Sequence, residues 1–137
     1  MRVRLEKIGA VAFAAKAAES GAEVLLDGKP DIGGEGRGMR PTELFLTGLA
    51  GCAAVDVVHI LKRQREPLEH LAIDIEGDRS AEAPTRFSAV RLKFTARGAV
   101  DPHKLERAVA LSVEKYCTVR NTLDPALDLR WEAVLES

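Results

Sequence analysis

Two sulfurs carry the chemistry this chain could do. Cys52 lies inside the apolar run LAGCAAVD, Leu49 to Asp56, and Cys117 closes the segment EKYC, 65 residues further along. A thiolate attacks electrophiles, ligates metals or exchanges with disulfides, whereas a buried neutral thiol behaves as a small hydrophobe. Sequence alone leaves both readings of Cys52 open, and cysteines this far apart meet only if the fold brings their Cα atoms within about 7 Å. There is no CxxC, and two cysteines fall short of the ligand set of a common structural zinc site. On a helix turning about 100° per residue, Cys52 shares a face with Gly48, Asp56 and His59. The spacing Cys-x3-Asp-x2-His matches no strong metal pattern. Asp56 therefore reads as a helix carboxylate with a cationic or backbone partner, and His59 as a core or interface histidine. Neither a metal nor a cofactor is expected.

The elements that must position these residues follow from composition and periodicity. With 137 residues, 46% hydrophobic and 30% charged, the chain has the size of one domain, expected over residues 1–137. A net charge of -1 and only 4% aromatic residues argue against a nucleic-acid partner. The start, MRVRLEKIGA, alternates charged and apolar residues where a signal peptide needs a continuous apolar core, so a cytoplasmic location is expected, where cysteines are free thiols or a reversible pair.

Val3 and Leu5 alternate with charged neighbours, AVAFAAKAA at 10–18 suits strand or helix, and AEVLLD at 22–27 is strand-like, which together suggest a meander. Residues 28–40, with five glycines and a proline, form a loop, readable either as a flexible connector or as a mobile rim over a site. No nucleotide-binding glycine motif is present. A helix starts at Pro41, with Glu43 in its first turn, and runs to about Arg65. Its segment Leu44 to Leu61 is long enough for a membrane span, but Asp56 and His59 argue for a buried central helix instead, between sheets or between subunits. Alternating strands follow around residues 71–76 and 90–97, joined across Ala83-Pro84. An amphipathic helix begins at Asp101-Pro102 and ends near Cys117, and a last strand spans 127–135. The fold class is α+β. A helix without a polar face needs cover on all sides, and one short chain offers few layers, so an obligate homodimer is expected.

PTELFLTGLAGCAAVDVVHIL at 41–61, EAPTRFSAVRLKF at 82–94 and LSVEKYCTVRNTL at 111–123 together resemble the OsmC/Ohr family of osmotically induced and organic-hydroperoxide-resistance proteins. The likeness is nearest to the branch with Pro-x-Glu before the central helix and an EKYC segment. It covers essentially the whole chain in matching order. The resemblance implies an intertwined homodimer of curved antiparallel sheets around long central helices, with sites at the dimer interface. It also implies a dithiol peroxidase. Cys52 would attack an organic hydroperoxide and become a sulfenic acid, Cys117 would condense with it to a disulfide, and an external dithiol would restore both thiols.

In the family an early-strand arginine, held by a glutamate near the start of the central helix, activates the thiolate. Here Thr42 occupies the usual carboxylate position and Glu43 follows it, so Glu43 is the carboxylate candidate beside Cys52 and Cys117. The region 10–18 has Lys16 but no arginine, and Arg37, Arg40 and Arg120 are the other cations at hand. Two alternatives accompany the peroxidase: a non-catalytic protein of the same fold that binds a small apolar or thiol-reactive ligand, and a redox-responsive module whose disulfide alters its surface.

Overall fold

Period-two alternation builds the first sheet. Strands β1 (Val3–Lys7), β2 (Phe13–Ala17) and β3 (Glu23–Leu26) form an antiparallel meander in that order, with Leu5 opposite Ala15 and Ala15 opposite Val24. The ambiguous alanine-rich segment thus resolves as a strand, since its neighbours on both sides supply pairing edges. The computed structural model describes residues 1–136 and falls into two units, Met1–Phe45 and the chain from Leu46 onward, with the division inside the long helix.

The glycine-rich stretch, readable from composition as a flexible connector or a mobile rim, is tied down by hydrogen bonds to Asp27. Asp27, only 2% exposed, accepts the backbone N–H groups of Gly28 at 2.8 Å, Glu35 at 3.0 Å and Arg37 at 3.1 Å. The Glu35 and Arg37 amides above all hold its carboxyl below the usual carboxylate range. A Cβ at Gly34 would run into the Gly28 carbonyl and one at Gly38 into that of Leu25, so these two positions need glycine. A short 3-10 turn occupies Pro30–Ile32, and Met39 bridges to Leu26 before the helix begins.

Helix α1 spans Pro41–Arg63, with Glu43 accepting the Arg40 backbone N–H at 2.9 Å, one half of a capping box, and Lys62 and Arg63 in its last turn. Leu49, Ala50, Ala53, Val57 and Leu61 bury one face. The opposite face is open, with Val55 69% and Val58 44% exposed. The expected all-round burial is therefore only half met within one chain, because the core covers a single side. By length and composition α1 could also cross a membrane, and 22% of its most apolar window is buried.

In the second unit, β4 (Leu68–Arg79) and β5 (Phe87–Gly98) pair antiparallel across the Ala83-Pro84 connection, and β6 (Asp128–Glu136) pairs with β5 in parallel. The antiparallel sheets that the resemblance implies are not met at this pair. A helical crossover separates β5 from β6 and returns the chain in the same direction, which a hairpin cannot do. Alternate residues of β5, Val90, Leu92, Phe94 and Ala96, form the core with the buried face of α1 and with Leu105, Ala108 and Val109 of α2 (Pro102–Leu111). Burial of each large member contributes about 1.5–3 kcal/mol.

Asp101 caps α2 by accepting from the amides of His103 at 2.8 Å and Lys104 at 3.3 Å. Glu66 ties the end of α1 to that cap through the Asp101 N–H at 2.9 Å and Lys104 Nζ at 2.7 Å. The helix expected to run on to Cys117 instead widens into a π turn over Ser112–Tyr116, followed by the short α3 (Thr118–Thr122), which the sequence reading lacked.

Candidate functional site

Cys52 is carried on α1 at the border between its buried and open faces, one residue before the fully packed Ala53, and is half-buried. Cys117 stands where the π turn ends and α3 begins, and is completely buried. The fold brings these two distant positions together: the Cys52 side chain lies near enough to Cys117 to shift its thiol.

Burial pushes the Cys117 thiol up, because the interior disfavours the thiolate, and the neighbouring Cys52 raises it further. Opposing both, the backbone N–H groups of Arg120 and Val119 point at the sulfur, that of Arg120 from 3.4 Å. Cys117 is thus the N-cap of α3, with a sulfur in the place usually taken by a hydroxyl or carboxylate oxygen. A proton removed from it would leave negative charge against two amide donors. The pair consists of one half-exposed thiol able to meet a reagent and one buried thiol able to meet only its partner.

Ser112, also fully buried, completes the centre. Its hydroxyl donates to the Ala53 carbonyl on α1 at 2.9 Å, and its own carbonyl accepts the Cys117 N–H at 2.8 Å, the bond that closes the π turn. The Asp56 carboxylate lies 3.5 Å from the same hydroxyl, so among the described residues its hydrogen-bond partner is a serine and not the cation or backbone donor expected. His59 and Asp56 line a cavity of about 680 Å³ with Arg63, Gln64 and Tyr116.

Glu43 belongs to the other unit, where its carboxylate holds the Arg40 amide. Of the cations, Arg37 donates to the Ile8 carbonyl at 2.7 Å, Arg120 donates from its guanidinium to the Asp124 carbonyl at 3.2 Å, and Lys16 lies opposite Glu23 in the meander. Helical periodicity places Ser112 on the buried stripe, where it looks like a small packing residue; its bond to Ala53 and the π bond of its carbonyl to the Cys117 amide leave no local signal.

A family model described as OsmC-like protein matches residues 34–132. The chain belongs to the OsmC-like protein family. Protein YhfA of Escherichia coli K12 is 32% identical to this OsmC-like chain over 130 residues, covering 94% of it and 93% of YhfA. A structure described as a hypothetical protein from Aquifex aeolicus VF5 shares 33% identity with a TM-score of 0.82, over 99% of this chain and 97% of that one. An organic hydroperoxide resistance protein OsmC from Legionella pneumophila has the same fold, with a TM-score of 0.72 at 21% identity over 97% of this chain and 95% of its own.

Proposed function

We propose that this OsmC-like protein is a thiol-dependent peroxidase that reduces organic hydroperoxides, with Cys52 as the attacking thiolate and Cys117 as the resolving thiol. The observation that carries the reading is the proximity of two thiols that lie 65 residues apart in sequence. Family membership supports it, and hydroperoxide resistance in the description of the Legionella relative supports the substrate class.

In the first step the Cys52 thiolate attacks one peroxide oxygen. An S–O bond forms, the O–O bond breaks, and the departing alkoxide takes a proton to become the alcohol. In the second step the Cys117 sulfur attacks the Cys52 sulfenic sulfur. The S–S bond forms, and hydroxide leaves as water with the proton that Cys117 gives up. The charge that Cys117 acquires as its proton departs falls against the Arg120 and Val119 amides. An external dithiol then reduces the disulfide by two exchanges and is itself oxidised to a disulfide.

Glu43 is assigned the role of anchoring an activating cation, with its carboxylate fixed by the Arg40 amide. The molecule acts as a cytoplasmic homodimer in which a second copy covers the open face of α1. Val55 and Val58 stand exposed on that face, and the open surroundings of Gly48 and Gly51 leave room for a close approach. Cys52→Ser is expected to abolish consumption of cumene hydroperoxide by the reduced protein in the presence of a dithiol. Undiminished turnover in that variant overturns the assignment.

A further inference from the structure

One residue touches the backbone on both sides of the thiol pair. The Ser112 hydroxyl grips the Ala53 carbonyl, one residue after Cys52, at 2.9 Å, and the Ser112 carbonyl grips the Cys117 amide at 2.8 Å. Both bonds are internal, since Ser112 is completely buried and water does not compete for them. The π turn is what allows this. An ordinary α-helical continuation would bond the amide of residue 117 to the carbonyl of residue 113, while the wider turn returns it to Ser112. Helix α1 and the Cys117 turn are therefore joined through one serine by two hydrogen bonds in series.

We propose that Ser112 is a positioning residue that sets the effective concentration of the Cys52 and Cys117 thiols toward each other. This inference rests on the two thiols forming a disulfide, as proposed above, but not on the oxidant being a peroxide. A clasp that restricts the reduced pair lowers the conformational entropy lost when the S–S bond closes. By linkage, the disulfide in turn stabilises the clasp. Removing the hydroxyl lets α1 and the turn drift apart in the reduced state, so closing the disulfide costs more.

The test is redox equilibrium of the pair in glutathione buffers of graded ratio, in which two glutathione thiols reduce the protein disulfide and leave as oxidised glutathione. Wild type, Ser112→Ala and Ser112→Thr are compared, with free thiols counted after acid quench and melting recorded for each reduced protein. The Ala variant is expected to form the intramolecular disulfide about tenfold less favourably, which raises its reduction potential by about 30 mV. Threonine keeps the hydroxyl while adding a methyl to a buried site. It is expected to lower the melting temperature and yet hold the wild-type potential.

A Ser112→Ala potential equal to wild type, whatever its melting temperature, overturns the proposal, and so does a Thr variant that shifts as far as Ala. If the Ala variant does not fold, wild type decides. Linkage requires the Cys117 amide to exchange more slowly with solvent in the oxidised form than in the reduced one, and equal exchange rates overturn the proposal. A wild-type protein that equilibrates with glutathione but ignores hydroperoxide removes the peroxidase reading and leaves this inference standing.

Discussion

Burial sets the two thiols apart, and pH and substitution distinguish them. Cys117 has a folded pKa raised by burial above its unfolded value. Its contribution to stability is therefore complete below the ordinary thiol pKa of about 8.5 and is lost as pH rises through the folded value. The reduced protein should melt progressively lower above that pH, by on the order of 5 °C more than Cys117→Ala does over the same range. Parallel melting curves for the two proteins would contradict the assignment.

Cys117→Ser should stop the reaction at the Cys52 sulfenic acid, which dimedone would capture on the Cys52 peptide, with dithiol-driven turnover down at least about tenfold. Glutamine is accepted in a capping box, so Glu43→Gln should leave the melting temperature unchanged and slow thiol oxidation about tenfold if the carboxylate anchors a cation. An unchanged oxidation rate would reduce Glu43 to a helix cap. At this scale the cysteines were legible from their settings, LAGCAAVD and EKYC, and their juxtaposition was not. No local rule reports a contact between residues so far apart, and the bond from the Cys117 amide to the Ser112 carbonyl depends on a π widening that leaves no periodic signature.

Among the elements, the loop at 28–40 shows how a flexible composition can be held in one form. Three amides converge on Asp27, and replacing its charge by an amide in Asp27→Asn removes acceptor capacity from a buried site. A drop in melting temperature of about 5 °C or more near neutral pH is expected, with faster exchange of the Gly28, Glu35 and Arg37 amides. Because the folded pKa of Asp27 is depressed, its contribution is present above the unfolded value of about 3.9 and is lost as pH falls through the folded one. The variant should lack that part of the acid sensitivity, and identical acid unfolding of the two proteins would show that the carboxylate does not hold the loop.

The helix starts at Pro41 and Asp101-Pro102 and the alternating strands were legible because caps and periodicity are local. The parallel entry of β6 was not, since strand direction is decided by the crossover, and period two is the same in both orientations.

For the whole molecule, the open face of α1 is the main unfinished surface of the chain from Leu46 onward. A homodimer would bury Val55 and Val58, so sedimentation should give twice the mass of one chain, and Val55→Asp should shift the protein toward monomer by placing a charge in the contact. A wild-type monomer at micromolar concentration would refute pairing through this helix. The hydrophobic run announced that α1 needs cover. Periodicity could not say how much of it the chain itself supplies, because an evenly apolar helix carries no mark of which side faces its own sheet.

The proposed Cys52–Cys117 redox pair is one that hydroperoxides oxidise. Its most direct test adds one equivalent of cumene hydroperoxide, and separately hydrogen peroxide, to the fully reduced protein, then follows free thiols over time and maps the products by peptide mass spectrometry. Rapid loss of both thiols into a Cys52–Cys117 disulfide, faster with the organic peroxide, is the result predicted. Thiols that persist for hours under both oxidants would contradict it and leave a protein of this fold without peroxide chemistry.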